Sequence, residues 1–165
     1  MVEKCRYYND HHTACSIMID DLVPAAVTID GRVCPNNDWG YLMDKEGSLY
    51  RYLEIQVLKR YPEVKGTVFL PIASQEYIPK NRGYIIHKKS VENLEFLEFL
   101  DRISPMFEIA FHGVRHTYFN TKKNLMVHEC SDLTSDSLME LIKQIEYFTK
   151  KTNIDFNGGK FPGYR

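Results

Sequence analysis

Two pairs of potential metal-binding side chains end apolar runs that lie far apart in the sequence. The adjacent carboxylates Asp20 and Asp21 end a short apolar run near the N-terminus. His112 and His116, with three residues between them, end another such run. Because α/β folds place their ligand crevice at the carboxyl ends of parallel strands, both pairs are expected in one crevice. Two carboxylates and two imidazoles gathered there predict a divalent metal site with a base beside it.

Imidazole nitrogen and carboxylate oxygen suit a catalytic zinc site, which has three protein ligands and an open position for water. Asp21, His112 and His116 would supply the ligands, and the metal would polarise a substrate carbonyl and lower the pKa of its bound water. Asp20 fits the role of general base, since successive residues at a strand end point in different directions. Neither spacing is specific alone, because two polar strand ends with surface histidines have the same pattern. The position of each pair after an apolar run favours the metal site.

Short apolar runs alternate with helical patterns along the chain. The predicted strands occupy residues 14–19, 66–72 and 107–111. The predicted helices begin at Ser48, at Ser90, and at Asp132 or Ser135. Such alternation predicts βαβ units and a parallel sheet with right-handed crossovers.

Two long segments with turn chemistry, residues 30–47 and 117–134, are predicted to be loops. Trp39, the only tryptophan, lies in the first and is predicted either to line a substrate cleft or to pin the loop to the body. His128 and Glu129 lie in the second, where nothing in their spacing supports a role as metal ligands.

The length of the chain sets its domain organisation. A single domain is the default for 165 residues, with a polar lead-in at 1–13 and an α/β domain at 14–165. Three or four β/α units would make about half of a closed eight-unit barrel. The chain ends just after the glycine-rich segment 157–165, which is predicted to leave a fourth strand and enter a loop. A domain that lacks its C-terminal part is therefore favoured over an open sheet.

The composition argues against several classes of partner. With 21 basic and 22 acidic residues, the formal net charge is -1, which favours neither nucleic acid nor an anionic membrane. No segment has the pattern of a membrane span or an export signal, so a cytoplasmic protein is predicted. The four cysteines have no CxxC spacing and are expected to be free thiols there. The oligomeric state is left open.

The motifs resemble those of the NodB-type polysaccharide deacetylases, carbohydrate esterase family 4. The family's first motif, a strand followed by T-F-D-D-G, is similar to residues 16–22, and its second, H-[ST]-x-x-H, is similar to 112–116. Between them, residues 66–70 look like the family's A-T-F-F strand. The third motif, R-x-P-[YW], is similar to 160–164. The resemblance covers residues 14–165 and corresponds to the first half of the family's domain.

This resemblance implies a distorted (β/α) barrel, a divalent metal, usually zinc, and a cleft for an N-acetylated sugar. It implies that Asp20 is the general base and that Asp21, His112 and His116 hold the metal. The third-motif segment would line the cleft and offer a backbone N–H to the oxyanion. Together with Trp39, the residues expected to contact substrate are Lys160, Phe161, Pro162, Gly163, Tyr164 and Arg165.

Three positions depart from the family pattern. Leu22 replaces the glycine after the aspartates, and Gly113 replaces the hydroxyl residue after the first histidine. Lys160 replaces the arginine that steadies the base; lysine cannot form a bidentate fork, although Arg165 could substitute. The family's later motifs, which carry the general-acid histidine, are absent.

The predicted function is metal-dependent removal of an N-acetyl group from an amino sugar or oligosaccharide, in the synthesis of a surface polysaccharide. One alternative is a catalytically inactive homologue that binds carbohydrate. The other is a deacylase that acts on another small amide.

Overall fold

The computed structural model describes residues 16–23, 26–28, 52–72, 76–77, 85–87, 94–120, 122–131 and 133–162. The polar lead-in, the loop at 30–47 with Trp39, and Gly163, Tyr164 and Arg165 lie outside these ranges. The division of the chain into a lead-in and one domain therefore stays a prediction.

Strands and helices alternate along much of the described chain. In chain order the elements are β1 (Ile17–Ile19), β2 (Ala26–Thr28), the π-helical segment α1 (Leu53–Leu58), β3 (Gly66–Leu70), β4 (Glu76–Tyr77), β5 (Ile85–His87), α2 (Leu94–Ile103), β6 (Phe107–Phe111), β7 (Thr117–Asn120), β8 (Leu125–His128) and α3 (Ser135–Thr152).

A parallel sheet holds the two strands whose ends carry the predicted chemistry, β1 and β6, with β3 between them. Its order is β1-β3-β6, which is also the order of these strands along the chain. The register places Val68 of β3 beside Ile19 of β1 and beside Ile109 of β6. The predicted apolar runs therefore form neighbouring strands, and their carboxyl ends lie at one edge of the sheet. The α/β class and the parallel sheet are confirmed.

Helix α2 covers this sheet with the apolar face that its helical spacing predicts. Phe96, Phe99, Leu100 and Ile103 are fully or almost fully buried and form one core with Phe107 of β6 and other sheet residues. Burying each such side chain contributes about 1.5–3 kcal/mol relative to leaving it exposed. The core therefore fixes β3 and β6 beneath the helix, and with them the strand ends.

Helix α3 begins at Ser135, which confirms one of its two predicted starts. The hydroxyl of Thr134 accepts the backbone N–H of Ser137, and the Ser137 hydroxyl accepts that of Thr134, which is a complete capping box. Asn153 ends the helix in the left-handed conformation, with φ of 57°. The helix lays Phe148 on the core, where its ring stacks on Phe156 at 5.3 Å between centroids.

After α3 the chain returns to the parallel sheet. Gly159 forms a single parallel bridge to Phe111; the Phe111 N–H donates to the Gly158 carbonyl at 3.0 Å, and the Lys160 N–H donates to the Phe111 carbonyl at 2.9 Å. A Cβ on Gly159 would lie 2.6 Å from the Phe111 carbonyl oxygen, so the approach requires glycine. Within the described ranges the parallel sheet does not close on itself, and the barrel stays a prediction.

The segment predicted as a loop at 117–134 contains an antiparallel hairpin instead. Strands β7 and β8 pair from Thr117 with His128 to Asn120 with Leu125. The turn is held by the Asn120 side chain, which accepts the Lys123 N–H at 3.0 Å, and by Asn124, whose φ is 50°. The loop prediction was wrong because four-residue strands give too short an alternation to stand out from turn residues.

A second antiparallel sheet has the order β2-β5-β4. None of the helices in the described ranges combines the length and apolarity needed to cross a bilayer.

Candidate metal centre

Strand β3 places the two predicted pairs on either side of its own carboxyl end. The Leu22 N–H donates to the Phe69 carbonyl at 3.2 Å, which fixes the chain just after the aspartates. The His112 N–H donates to the Leu70 carbonyl at 3.0 Å, which fixes the first histidine on the opposite side. The carboxylates and the imidazoles therefore face each other across the tip of one strand, as the sequence predicts.

Asp21, His112 and His116 bring three potential ligand atoms together, all within 4.8 Å of one another. The Asp21 Oδ1 atom lies 3.1 Å from Nε2 of His116 and 3.6 Å from Nε2 of His112. Zinc binds such atoms at about 2.0–2.2 Å, so neighbouring ligands in a tetrahedral site lie about 3.3–3.6 Å apart. The donor types suit a divalent cation, and the two separations from Asp21 are close to those of a tetrahedral site.

The hydrogen bond of His112 on its other ring nitrogen sets its tautomer. Nδ1 lies 3.0 Å from the Lys160 carbonyl oxygen, which can only accept, so Nδ1 carries the proton. This bond leaves Nε2 of the buried ring as the nitrogen that faces the Asp21 carboxylate, at 3.6 Å from Oδ1, and that can ligate a metal. Two electron-rich atoms facing each other suit a cation between them, and a backbone carbonyl behind the imidazole is the usual outer support of a metal ligand.

The second histidine is held in the form that binds metal. Burial lowers the pKa of His116 below its usual value of 6.5, and the His112 and His128 rings act in the same direction, whereas Asp21 opposes them. The neutral imidazole is therefore favoured. Both His116 and Asp21 adopt positive φ angles, 61° and 60°. Residues other than glycine adopt such angles rarely, and residues that do so cluster at functional sites.

The predicted base lies beside this group and carries a cation of its own. The Lys160 ammonium forms an ion pair with Oδ1 of Asp20 and lies 4.1 Å from the centroid of the Phe69 ring. Lys160 thus contacts the base through its side chain and His112 through its carbonyl oxygen. The single bridge at Gly159 positions both contacts, since it aligns the chain with the end of β6.

Among the residues predicted to contact substrate, three are described. Lys160 is half-buried, the side chain of Phe161 is 53% exposed, and Pro162 is buried. The Phe161 ring meets Phe111 edge-on at 6.3 Å. Lys160 and Phe161 border a cavity of about 290 Å³ whose other lining residues are Phe111, Ile145, Phe156, Gly158 and Gly159. None of the three potential metal ligands lines this cavity. The other predicted substrate contacts lie outside the described ranges.

Glu129 has a role that the sequence does not indicate. Its carboxylate accepts the backbone N–H groups of Val114 and Arg115, each at 2.7 Å, and its own N–H donates to the His116 carbonyl at 3.2 Å. Burial raises the pKa of Glu129, while the two N–H donors oppose this shift. Spacing alone could not find this residue, because its contact with the histidine loop depends on the hairpin.

Two departures from the family pattern have visible structural partners. Leu22, in place of glycine, is completely buried in the core. Gly113 has φ of 85°, and a Cβ there would overlap Oε1 of Glu129 and lie 2.9 Å from Cγ of Pro162. Glu129 therefore occupies the space that a side chain at 113 would need.

Comparison of the chain with protein-family models, with curated proteins and with solved structures finds no match. The family resemblance rests on the motifs, and the functional argument rests on the geometry of the centre.

Proposed function

We propose that this protein is a metal-dependent hydrolase that removes an N-acetyl group from an amino sugar or oligosaccharide. The observation that carries the proposal is the convergence of Asp21, His112 and His116, with Asp20 beside them. One carboxylate, two imidazoles and a second carboxylate next to them are the parts that metal-assisted amide hydrolysis requires.

Each residue has a separate task in this reaction. Asp21, His112 and His116 would hold the cation, and zinc bound there would polarise the acetamide carbonyl and lower the pKa of a water molecule. Asp20 accepts the proton of that water at a carboxylate oxygen while the water oxygen attacks the carbonyl carbon. The C–N bond breaks as the nitrogen takes up the proton that Asp20 received, which yields acetate and a free amine and restores the Asp20 carboxylate. Lys160 orients both Asp20 and His112 through the two contacts described above.

We further propose that β1, β3, β6 and the chain at Gly159 begin a distorted (β/α) barrel. Parallel strands that neighbour each other in chain order are the pattern of a singly wound barrel rather than of a doubly wound sheet. Determining the structure of the whole protein tests this: a sheet that stays open beyond residue 159 would contradict it.

The proposed substrate is an N-acetylated sugar on a cytoplasmic precursor of a surface polymer. The exposed ring of Phe161 beside Lys160 supports a sugar, since an aromatic face packs against a pyranose ring and the ammonium donates to hydroxyl groups. Fractionation of the native cells tests the compartment, and recovery of the protein outside the cytoplasm would contradict it.

Acetate release from an oligomer of N-acetylglucosamine tests the activity. The zinc-loaded parent is expected to release acetate, whereas Asp20→Asn should keep its zinc and lose turnover by about 10²–10⁴-fold. Asp155→Asn, the same change at an exposed position, is the matched control and should retain full activity. An Asp20→Asn variant as active as the control would refute the assigned base.

A second candidate is a metal-holding, carbohydrate-binding protein without turnover. The ion pair between Lys160 and Asp20 favours it, because the ammonium occupies Oδ1, a carboxylate oxygen that could otherwise accept the proton of the attacking water. Calorimetric binding of the same oligomer without any release of acetate would establish this candidate. Acetate release by the parent would exclude it.

A further inference from the structure

Glu129 contacts the loop between the two histidines at three backbone positions. Its carboxylate oxygens accept from Val114 and Arg115 separately, one N–H to each oxygen. Its backbone N–H then reaches the carbonyl of His116, which is itself one of the three potential ligands. One residue at the end of β8 thus fixes the path of the chain from the first imidazole to the second.

The surroundings of the Glu129 carboxylate supply both hydrogen-bond donors and space for it. Glu129 is buried, and an ionised carboxylate in such a place requires hydrogen-bond donors, which the two N–H groups supply. Gly113 provides the room, since any side chain there would overlap Oε1. A glycine at 113 and a glutamate at 129 are therefore complementary, because the Glu129 carboxylate fills the space that a side chain at 113 would occupy.

The loop that Glu129 holds has an unfavourable backbone at His116. The φ of His116 is 61°, a conformation that residues other than glycine adopt rarely and that persists only where the surroundings hold it, whereas Gly113 adopts its φ of 85° readily. The Ile72 N–H donates to the Gly113 carbonyl at 3.2 Å, but Val114 and Arg115 depend on Glu129. Loss of the carboxylate would leave these N–H groups without that acceptor and free the second histidine to turn away.

We propose that Glu129 is the positioning residue of the metal centre, holding the His112–His116 loop in the shape that aims both imidazoles at one cation. This inference rests on the proposed function. Glu129 is outside the group of three potential ligands. It acts on metal affinity through Val114, Arg115 and His116.

Zinc affinity measured by competition with a chelator tests the inference on the whole chain. Glu129→Gln keeps the size of the side chain but places an NH₂ group against a backbone N–H. The zinc Kd is expected to rise by about 10–100-fold, the usual effect of losing an outer-shell support. Glu129→Asp keeps both acceptor oxygens on a shorter stem and should recover part of the affinity. Glu140→Gln, an exposed change on α3, is the matched control and should leave the Kd unchanged.

A second perturbation reaches the same carboxylate from the opposite side. In Gly113→Ala the new methyl group overlaps Oε1 of Glu129, displaces the carboxylate from its two N–H donors and should weaken zinc binding. In a Glu129→Ala background this overlap with Glu129 is absent, so the same substitution should reduce the zinc affinity less. Cobalt substituted for zinc gives a ligand-field spectrum, which should change in Glu129→Gln and not in Glu140→Gln. Because this spectrum reports the coordination geometry, a general loss of stability would not reproduce the result.

The outcomes separate the two proposals. A zinc-binding parent whose Kd and cobalt spectrum are unchanged in Glu129→Gln and Glu129→Asp overturns the role of Glu129 and leaves the metal site intact. A parent that binds no zinc overturns the proposed function and the role of Glu129 with it. If Glu129→Gln fails to fold, the zinc affinity of Glu129→Asp and the coupling between Gly113→Ala and Glu129→Ala test the role of Glu129 instead.

Discussion

Asp21→Asn should abolish stabilisation by zinc while leaving the metal-free fold intact. Asparagine has the size of aspartate and tolerates the positive φ of 60° at this position. Its amide can donate a hydrogen bond to an imidazole nitrogen, and the closest is Nε2 of His116, now 3.1 Å from the carboxylate. The variant therefore loses the anionic ligand without gaining an unsatisfied polar group.

The size of the effect follows from linkage. A ligand that binds only the folded state stabilises it by about 2.7 kcal/mol when its free concentration is 100 times Kd. For a chain of 165 residues, each kcal/mol raises Tm by about 2–4 °C. Zinc at that concentration should thus raise the Tm of the parent by about 5–11 °C. Thiols of the unfolded chain that bind zinc reduce the rise, but they do so equally in parent and variant.

Circular dichroism melts with and without zinc provide the assay, with the Kd of the parent fixed beforehand by calorimetry. The parent and the control Asp155→Asn should show the full rise in Tm, and Asp21→Asn should show almost none. Without zinc, the three proteins should melt within a few degrees of one another. An equal rise in Asp21→Asn and in the parent would mean that zinc binds elsewhere and that the ligand assignment is wrong.

Four other outcomes follow from the described contacts. Burial lowers the pKa of His116 below 6.5, so protons should compete with zinc at this imidazole only below pH 6.5. Competition with a chelator across a pH series measures this, and proton competition that begins at a higher pH would contradict the lowered pKa. Partial burial raises the pKa of the Cys130 thiol from 9.0 to about 11, so alkylation at a neutral or mildly basic pH should be about 100-fold slower than in the unfolded chain. Mass spectrometry measures both rates, and equal rates would refute the raised pKa. Phe148→Ala should lower the free energy of unfolding in urea by about 3–5 kcal/mol. Tyr147→Ala, on the exposed side of the same helix, should lower it by less than about 1 kcal/mol, and similar losses in the two variants would contradict the packing of α3. Thr134→Ala removes the cap of α3 and should cost about 1 kcal/mol in the same assay, which an unchanged midpoint would disprove.

The sequence predicts the parallel sheet and its chemical edge for a simple physical reason. A strand whose residues are mostly buried must be mostly apolar, and 66–70 and 107–111 both have that pattern, interrupted only by Thr67 and by the exposed Glu108. A polar residue directly after such a run can only lie at the end of the strand. His112 is therefore placed by the burial of the residues before it. No residue of β1 is buried, so the aspartates are placed by the pairing of β1 with β3, and the convergence requires that β1 and β6 flank β3 in one sheet.

The hairpin and the role of Glu129 could not be predicted in the same way. Strands β7 and β8 are four residues long, and they pair with each other along that whole length. Neither gives a run long enough to be recognised as a strand by its sequence pattern. Glu129 meets Val114 and Arg115 only after the hairpin has folded back, 15 and 14 residues away along the chain. No local pattern encodes a contact between a side chain and two backbone N–H groups, because backbone groups are the same at every residue.

The three departures from the family motifs surround one centre, and each has a neighbour that accounts for it. Leu22 fills the core below the aspartates, Gly113 makes room for Glu129, and Lys160 reaches both the base and the first imidazole. A comparison of the sequence with the motifs counts these positions as three mismatches. Metal binding depends instead on the types of the ligand atoms and their distances, and Asp21, His112 and His116 supply atoms that suit zinc. For this chain the geometry of the donors is therefore stronger evidence on metal binding than the number of motif letters that agree.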